Sequence, residues 1–129
     1  MKFAIQINAN PTASNSPYAA YRFIDALLKQ GHSVVRVFFY QEGVYQAFKY
    51  AAPPDDEFNF PKLWSELARR YAIDLVVCIS AAQRRGLLHA DEAQRVGKLD
   101  EDLAPGFRIS GLGQWVEAAL QADRCLVFG

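Results

Sequence analysis

Ile73-Asp74-Leu75-Val76-Val77-Cys78, followed by Ile79-Ser80-Ala81-Ala82, is the stretch on which the fold turns. A short, nearly continuous apolar run rich in β-branched residues reads as a strand covered on both faces, the pattern of a parallel sheet. A helix beginning at Ser80 is expected to follow directly. Cys78 then ends a buried parallel strand, at the edge where open α/β sheets place ligands and reactive groups. The free N–H groups and positive dipole end of the next helix are expected to face the sulfur and favour its thiolate.

Working outward, the same alternation of strand and helix recurs. Lys2 to Asn8 reads as a strand, and Asn10 to Ser16 as a polar loop. Ser16 has the chemistry of an N-cap, with Pro17 at the first helical position. Ala20, Phe23, Ile24, Leu27 and Leu28 then form one apolar helix face, which Gly31 ends. Ser33 to Tyr40, β-branched and aromatic, is a second strand. Glu42 to Tyr50 carries a short helix before the turn Pro53-Pro54-Asp55-Asp56. Phe60, Leu63, Trp64, Leu67 and Tyr71 repeat at helical spacing, with Pro61 in the first turn.

Beyond Cys78, Ser80–Arg85 and Asp91–Val96 are short helical pieces parted by Gly86. Phe107-Arg108-Ile109 is a fourth strand. Ser110 is expected to cap a helix that buries Leu112, Trp115, Val116, Ala119 and Leu120, and Arg124 to Phe128 is a fifth strand. The chain therefore predicts an α/β fold over residues 1–129: one domain, a three-layer α/β/α sandwich with a five-stranded, mostly parallel sheet, flavodoxin-like. Periodicity does not give the strand order.

Composition removes several function classes. With 129 residues, 51% hydrophobic and 22% charged, the chain can bury a substantial core. Fourteen basic residues balance fourteen acidic ones without blocks of like charge, so direct nucleic-acid binding has little electrostatic basis. No segment approaches the roughly 20 apolar residues of a membrane span. The opening Met1-Lys2 runs into a strand too short for a signal peptide's apolar region. Two cysteines in such a chain suggest free thiols in a reducing cytoplasm. The only histidines, His32 and His89, form no zinc-type cluster with cysteine, so neither a metal nor another cofactor is expected.

Each candidate residue has a plainer alternative. Cys78 is a nucleophile by position, or a small buried hydrophobe by type. Cys125, near the start of its own strand, reads as packing, about 10 Å or more from Cys78 and beyond disulfide reach. Ser80 is a cap and a possible donor to the sulfur. Arg84 and Arg85 either hold an anionic sulfur species or complement the end of a short helix. His89 reads as a surface residue. Gly111-Leu112-Gly113 lacks the third glycine of a dinucleotide fingerprint. The hydroxyl-rich Asn10–Ser16 loop offers an anion a helix start but has no glycine for close wrapping, which leaves a flavin-type site as an alternative.

Three clusters carry a family resemblance. They are Phe38-Phe39-Tyr40-Gln41-Glu42-Gly43-Val44, Leu75-Val76-Val77-Cys78 with Ala81-Ala82-Gln83-Arg84-Arg85-Gly86, and Ile109-Ser110-Gly111-Leu112-Gly113 with Glu117-Ala118. On these the chain resembles the DsrE/TusD proteins, the cysteine-bearing subunits of bacterial sulfur-relay complexes, from Met1 to Phe128. The resemblance implies that Cys78 carries a persulfide. It also implies two related small subunits in a hetero-oligomer with two copies of each, an upstream sulfur donor and a downstream carrier protein. Glu42-Gly43-Val44-Tyr45 and Asp56-Glu57-Phe58 resemble the branch serving 2-thiolation of the transfer-RNA wobble uridine. Ala82-Gln83-Arg84-Arg85-Gly86 and the Phe107–Gln114 stretch resemble the sulfur-oxidation branch. Glu42 and Gly43, ending the second strand, are expected to wall the pocket or meet a partner. A non-catalytic scaffold subunit remains the alternative.

Overall fold

The computed structural model describes residues 1–129. The elements run β1 (Lys2–Ile7), α1 (Ser16–Lys29), β2 (Ser33–Phe39), a 3₁₀ segment (Gln41–Ala47), α2 (Phe60–Tyr71) and β3 (Leu75–Cys78). Then come α3 (Ile79–Arg84), α4 (Ala90–Arg95), β4 (Phe107–Ser110), α5 (Gly113–Gln121) and β5 (Arg124–Phe128). All neighbouring strands pair in parallel, in the order β4-β3-β2-β1-β5.

That order explains the layers. From β1 to β4 the chain steps along the sheet in one direction, and from β4 to β5 it returns past β1. Right-handed crossovers then put α1 and α2 on one face and α5 on the other. Neighbouring side chains on β2 report both faces, because successive residues of a strand point oppositely. Phe39 meets Trp64 of α2, while Phe38 meets Trp115 of α5. The apolar spacing expected for α1 and α2 is what packs, with Ile24, Leu27, Trp64 and Leu67 in the core.

Helix ends follow local chemistry, with adjustments. Asn59 caps α2 by accepting from the Lys62 N–H at 3.2 Å. In α1 the expected cap moves: Ser16 is the first helical residue, and its N–H is taken by the Ser14 hydroxyl at 3.1 Å. Gly31 stops α1 with φ of 89°, a backbone position that suits glycine. The α3 helix begins at Ile79, one residue before Ser80, with Cys78 itself in the cap position. Ser110 closes β4 instead of capping α5, whose cap is Leu112.

The largest departure from expectation is α5. Trp115 packs on the sheet and Ala118 is buried, yet Leu112, Val116 and Leu120 are exposed. Polar anchoring sets this rotation. Arg36 of β2 is buried and donates to the Gln114 carbonyl at 2.8 Å, while Arg108 donates to the Gln114 side chain at 2.9 Å. Both arginines also converge on Asp74, through Arg36 Nε at 2.6 Å and Arg108 Nε and Nη2 at 2.8 and 2.9 Å. A buried guanidinium is tolerated only when paired, so these bonds turn the Gln114–Glu117 flank of α5 toward β2–β4.

The hydrogen bonds from Arg108, then Arg36, hold the Asp74 carboxyl below its ordinary value of 3.8, against an opposing effect of burial. A folded-state pKa depressed in this way gives stability that is present above the unfolded value and lost as pH falls through the folded one. We therefore expect Asp74→Asn to cost about 1–2 kcal/mol near neutrality, a charged hydrogen bond discounted for partial solvent exposure. The stability curves of the two proteins should converge in urea titrations below pH 3.8. Parallel curves throughout would contradict this account.

Candidate functional site

Cys78 is the last residue of β3, in register with Ser110 of β4, and only 2% exposed. It lies at the carboxyl edge, two strands from β1, the strand at which the order of strand addition reverses. Its backbone caps α3, but its side chain makes no cap bond to the helix amides. The amide donors expected around the sulfur are therefore replaced by one hydroxyl: Ser80 Oγ stands 3.4 Å from Cys78 Sγ. The physical reason is the earlier helix start, which makes Cys78 part of the turn instead of a residue facing it. Ile79 and Ser80 are themselves exposed, so the sulfur sits just under the surface, covered and bonded to a serine that meets solvent.

The 3₁₀ segment beside β3 is fixed from several sides. Gly43 is buried, and a Cβ there would overlap the Ile7 carbonyl oxygen and come within 2.9 Å of its carbon. Only glycine lets this turn lie against the end of β1. Gln46, fully buried, accepts from the Trp64 indole at 2.7 Å. This polar pair gave no sequence signal, since a glutamine in a connecting segment normally reads as exposed. The chain around Leu103 closes the far side, with Lys49 N–H bonded to the Asp102 carbonyl and Ala104 N–H to the Ala47 carbonyl, both at 2.8 Å. Glu42 is exposed on the turn leaving β2, one strand over from Cys78.

Arg84 and Arg85 lie at the other end of α3. Arg84 is exposed; Arg85 donates to the Ala81 carbonyl at 3.0 Å and lies over the Tyr45 ring. Neither bonds the sulfur, and helix-end complementation accounts for Arg85 as found. Cys125, expected to pack, is exposed, with its sulfur 3.9 Å from the Ala119 carbonyl. It pairs with Ala4 on the edge strand, three strands from β3, and both cysteines are free thiols. His89 begins α4 half-buried, and His32 Nδ1 lies 3.1 Å from the Met1 amino group.

In the loop after β1 the candidate anion-binding groups bond within the chain. Asn10 Oδ1 accepts from the Thr12 N–H and hydroxyl at 2.8 and 2.7 Å. Ser16 Oγ donates to the Gly129 carbonyl at 2.6 Å, and Asn8 N–H to the Phe128 carbonyl at 2.9 Å. These bonds bridge the carboxyl ends of β1 and β5, the crevice in which this class of sheet ordinarily takes a ligand. No helix is long and apolar enough to cross a membrane.

A cysteine at this strand end, on this order of strands, invites comparison with known proteins. Residues 1–128 match the profile of the DsrE/DsrF-like family. The chain belongs to that family. It is 50% identical over 129 residues to the DsrE protein of Allochromatium vinosum, which bears a sulfurtransferase name, covering 100% of this chain and 99% of that one. A sulfurtransferase TusD homolog of Pseudomonas aeruginosa is 47% identical over 129 residues, covering 100% and 98%. One from Vibrio vulnificus is 39% identical over 128 residues, covering 99% and 98%. Among solved structures, the ychN protein of E. coli superposes with a TM-score of 0.79 at 22% identity, covering 99% of each chain. That likeness bears out the α/β fold.

Two outcomes follow for this DsrE-like chain. A thiol reagent applied to the folded protein should modify Cys125 quickly and Cys78 at least about 100-fold more slowly, as the burial difference demands. Equal rates, read by peptide mass spectrometry, would show that the cover over Cys78 opens freely. Gly43→Ala should lose more than about 2 kcal/mol in urea unfolding, because the clash is with backbone that cannot turn aside.

Proposed function

We propose that the chain is a sulfur-relay sulfurtransferase in which Cys78 accepts a sulfane sulfur as a persulfide and passes it to a downstream protein thiol. The reading is carried by the match over residues 1–128, to relatives bearing sulfurtransferase names, together with a cysteine ending an inner strand beneath an exposed serine.

The chemistry is two thiol exchanges. The Cys78 thiolate attacks the outer sulfur of a donor persulfide; a new S–S bond forms, the donor's S–S bond breaks, and the donor thiolate leaves with the electron pair. An acceptor thiolate then attacks the outer sulfur on Cys78, and Cys78 departs as thiolate. The sulfur moves without net oxidation, so the exchange needs no cofactor. Ser80 donates to the anionic sulfur and gives it a hydrogen-bonded path toward solvent, which suits a site without a general base at hand. In this reading Glu42 and Gly43 shape the rim a partner meets, and Arg84 and Arg85 act on docking at the far end of α3.

The partners in this reading are two related small subunits in a hetero-oligomer, a heterohexamer, with an upstream donor and a downstream carrier protein in the cytoplasm. The end use is transfer-RNA wobble-uridine thiolation or sulfur-oxidation trafficking. Identities of 50% and 47% to a DsrE and a TusD protein leave the chain between those branches. A second reading, a scaffold subunit without sulfur chemistry, is favoured by the near-complete cover over Cys78.

Intact-mass measurement after treatment with a persulfide donor separates the two. The relay reading expects one added sulfur atom, removable by reductant, that survives Cys125→Ser and disappears in Cys78→Ser. Ser80→Ala should slow loading by up to about tenfold, the worth of one hydrogen bond to a charged group. Unchanged loading of the Cys78→Ser protein would leave only the scaffold.

A further inference from the structure

Strand register puts the Cys78 side chain on a definite face of the sheet. Phe38 of β2 is level with Val76 of β3 and packs against Trp115 of α5, so Val76 points to the α5 face. Cys78 lies two residues on and points the same way. Arg108, level with Val76 on β4, marks the same face by its bond to Gln114 in α5. The sulfur therefore stands at the carboxyl edge on the side of α5, away from α1 and α2.

Each neighbouring strand brings a hydroxyl to the same row. On β4, Ser110 is paired with Cys78. On β2, Phe39 is paired with Val77, so Tyr40 comes level with Cys78, and its ring lies 6.3 Å from that of Phe38 on the same face. The backbone holds Tyr40 there: its N–H donates to the Ile7 carbonyl at 3.0 Å, and its carbonyl accepts from the Gly43 N–H at 2.9 Å. Adjacent strands run about 4.8 Å apart, so the roots of the two side chains flank that of Cys78 at about this distance. Elsewhere on this face the polar side chains are engaged, Arg36 and Arg108 with Asp74 and with α5. The Tyr40 and Ser110 hydroxyls have no partner in the chain. Nor are they sealed: both residues are half-buried, and Asp25 Oδ1 is the one buried polar side-chain atom left without a partner.

Neither hydroxyl bonds Cys78 Sγ, whose polar neighbour is Ser80 Oγ at 3.4 Å. A persulfide carries its outer sulfur one S–S bond, about 2 Å, beyond Sγ. The chain after Ser110 also leaves room on this side, since a side chain built at Gly111 or Gly113 would meet nothing within 4 Å.

We infer that Tyr40 and Ser110 receive the outer sulfur when Cys78 carries a persulfide, each hydroxyl donating a hydrogen bond to it. The inference rests on the sulfur-relay reading and adds a division of labour to it. Ser80 serves the inner sulfur, in the thiol and the persulfide alike. Tyr40 and Ser110 serve only the sulfur in transit. In loading, the Cys78 thiolate takes the outer sulfur and the donor leaves as thiolate; hydrogen bonds to the anionic sulfur of the product draw that equilibrium toward Cys78. The free thiol is left as it was.

An exchange equilibrium tests this. Cys125→Ser protein, as parent, is held with glutathione persulfide and glutathione at a fixed ratio, and the loaded fraction is read by intact mass. Tyr40→Phe and Ser110→Ala should each lower the ratio of loaded to free Cys78 about tenfold, the worth of one hydrogen bond to a charged atom. Alkylation of Cys78 in the unloaded variants should keep the parent's rate. Ser110→Thr, which retains the hydroxyl, should restore the ratio. A parent that loads on Cys78 while both variants load equally well overturns the inference and leaves the relay reading standing. So does a loss of loading matched by an equal change in alkylation, the mark of a disturbed turn. A parent that takes up no sulfur removes both.

Discussion

Arg36 is a buried guanidinium inside a parallel sheet, and much else follows from the need to satisfy it. It has three partners: Asp74 ahead of β3 and, from α5, the Gln114 carbonyl and, at longer range, Glu117. Arg108 joins the same carboxylate from β4. The cluster ties two strands to the one helix on its face and sets that helix's rotation. The exposure of Leu112, Val116 and Leu120 is its result. A strand holding valine instead of Arg36 would let α5 roll its leucines inward, and the outward surface would be a different one.

The elements were legible in the sequence because their signals are local. Alternating β-branched runs, prolines in first turns and Gly31 after Leu28 each fix structure within a few residues. What escaped were properties of contacts between elements. Strand order depends on which crossover returns past β1, and no window of sequence records that. The burial of α5 was misjudged because leucine spacing marks an apolar flank without saying what faces it. Cys125 looked like packing for the same reason: its strand has a neighbour on one side only and no helix above it.

The candidate site was legible in one residue and less so in its surroundings. Cys78 ends its strand as expected, and Ser80 reaches it. The helix dipole argument weakened once the short α3 proved to begin at Ile79, with Cys78 in the cap position and its side chain making no cap bond to the helix amides. A sulfur covered by its own turn, with one exposed hydroxyl for company, is sheltered from casual oxidants yet near the surface a partner would approach. Gly43 shows a different kind of constraint. Its type was noted in the turn after β2, but the reason, a carbonyl of β1 where a methyl would sit, belongs to the folded chain alone.

The order β4-β3-β2-β1-β5 also bears on how the molecule comes together. Four strands pair with their nearest neighbours in sequence, so each new pairing closes a modest loop and can follow the last as the ribosome delivers it. The pairing of β5 with β1, Ala4 beside Cys125, joins residues at opposite extremes of the chain and carries the greatest closure entropy. Until it forms, β1 is itself an open rim. During synthesis that rim waits longest for its mate, which makes it the place where a chaperone or a stray strand has most opportunity to bind.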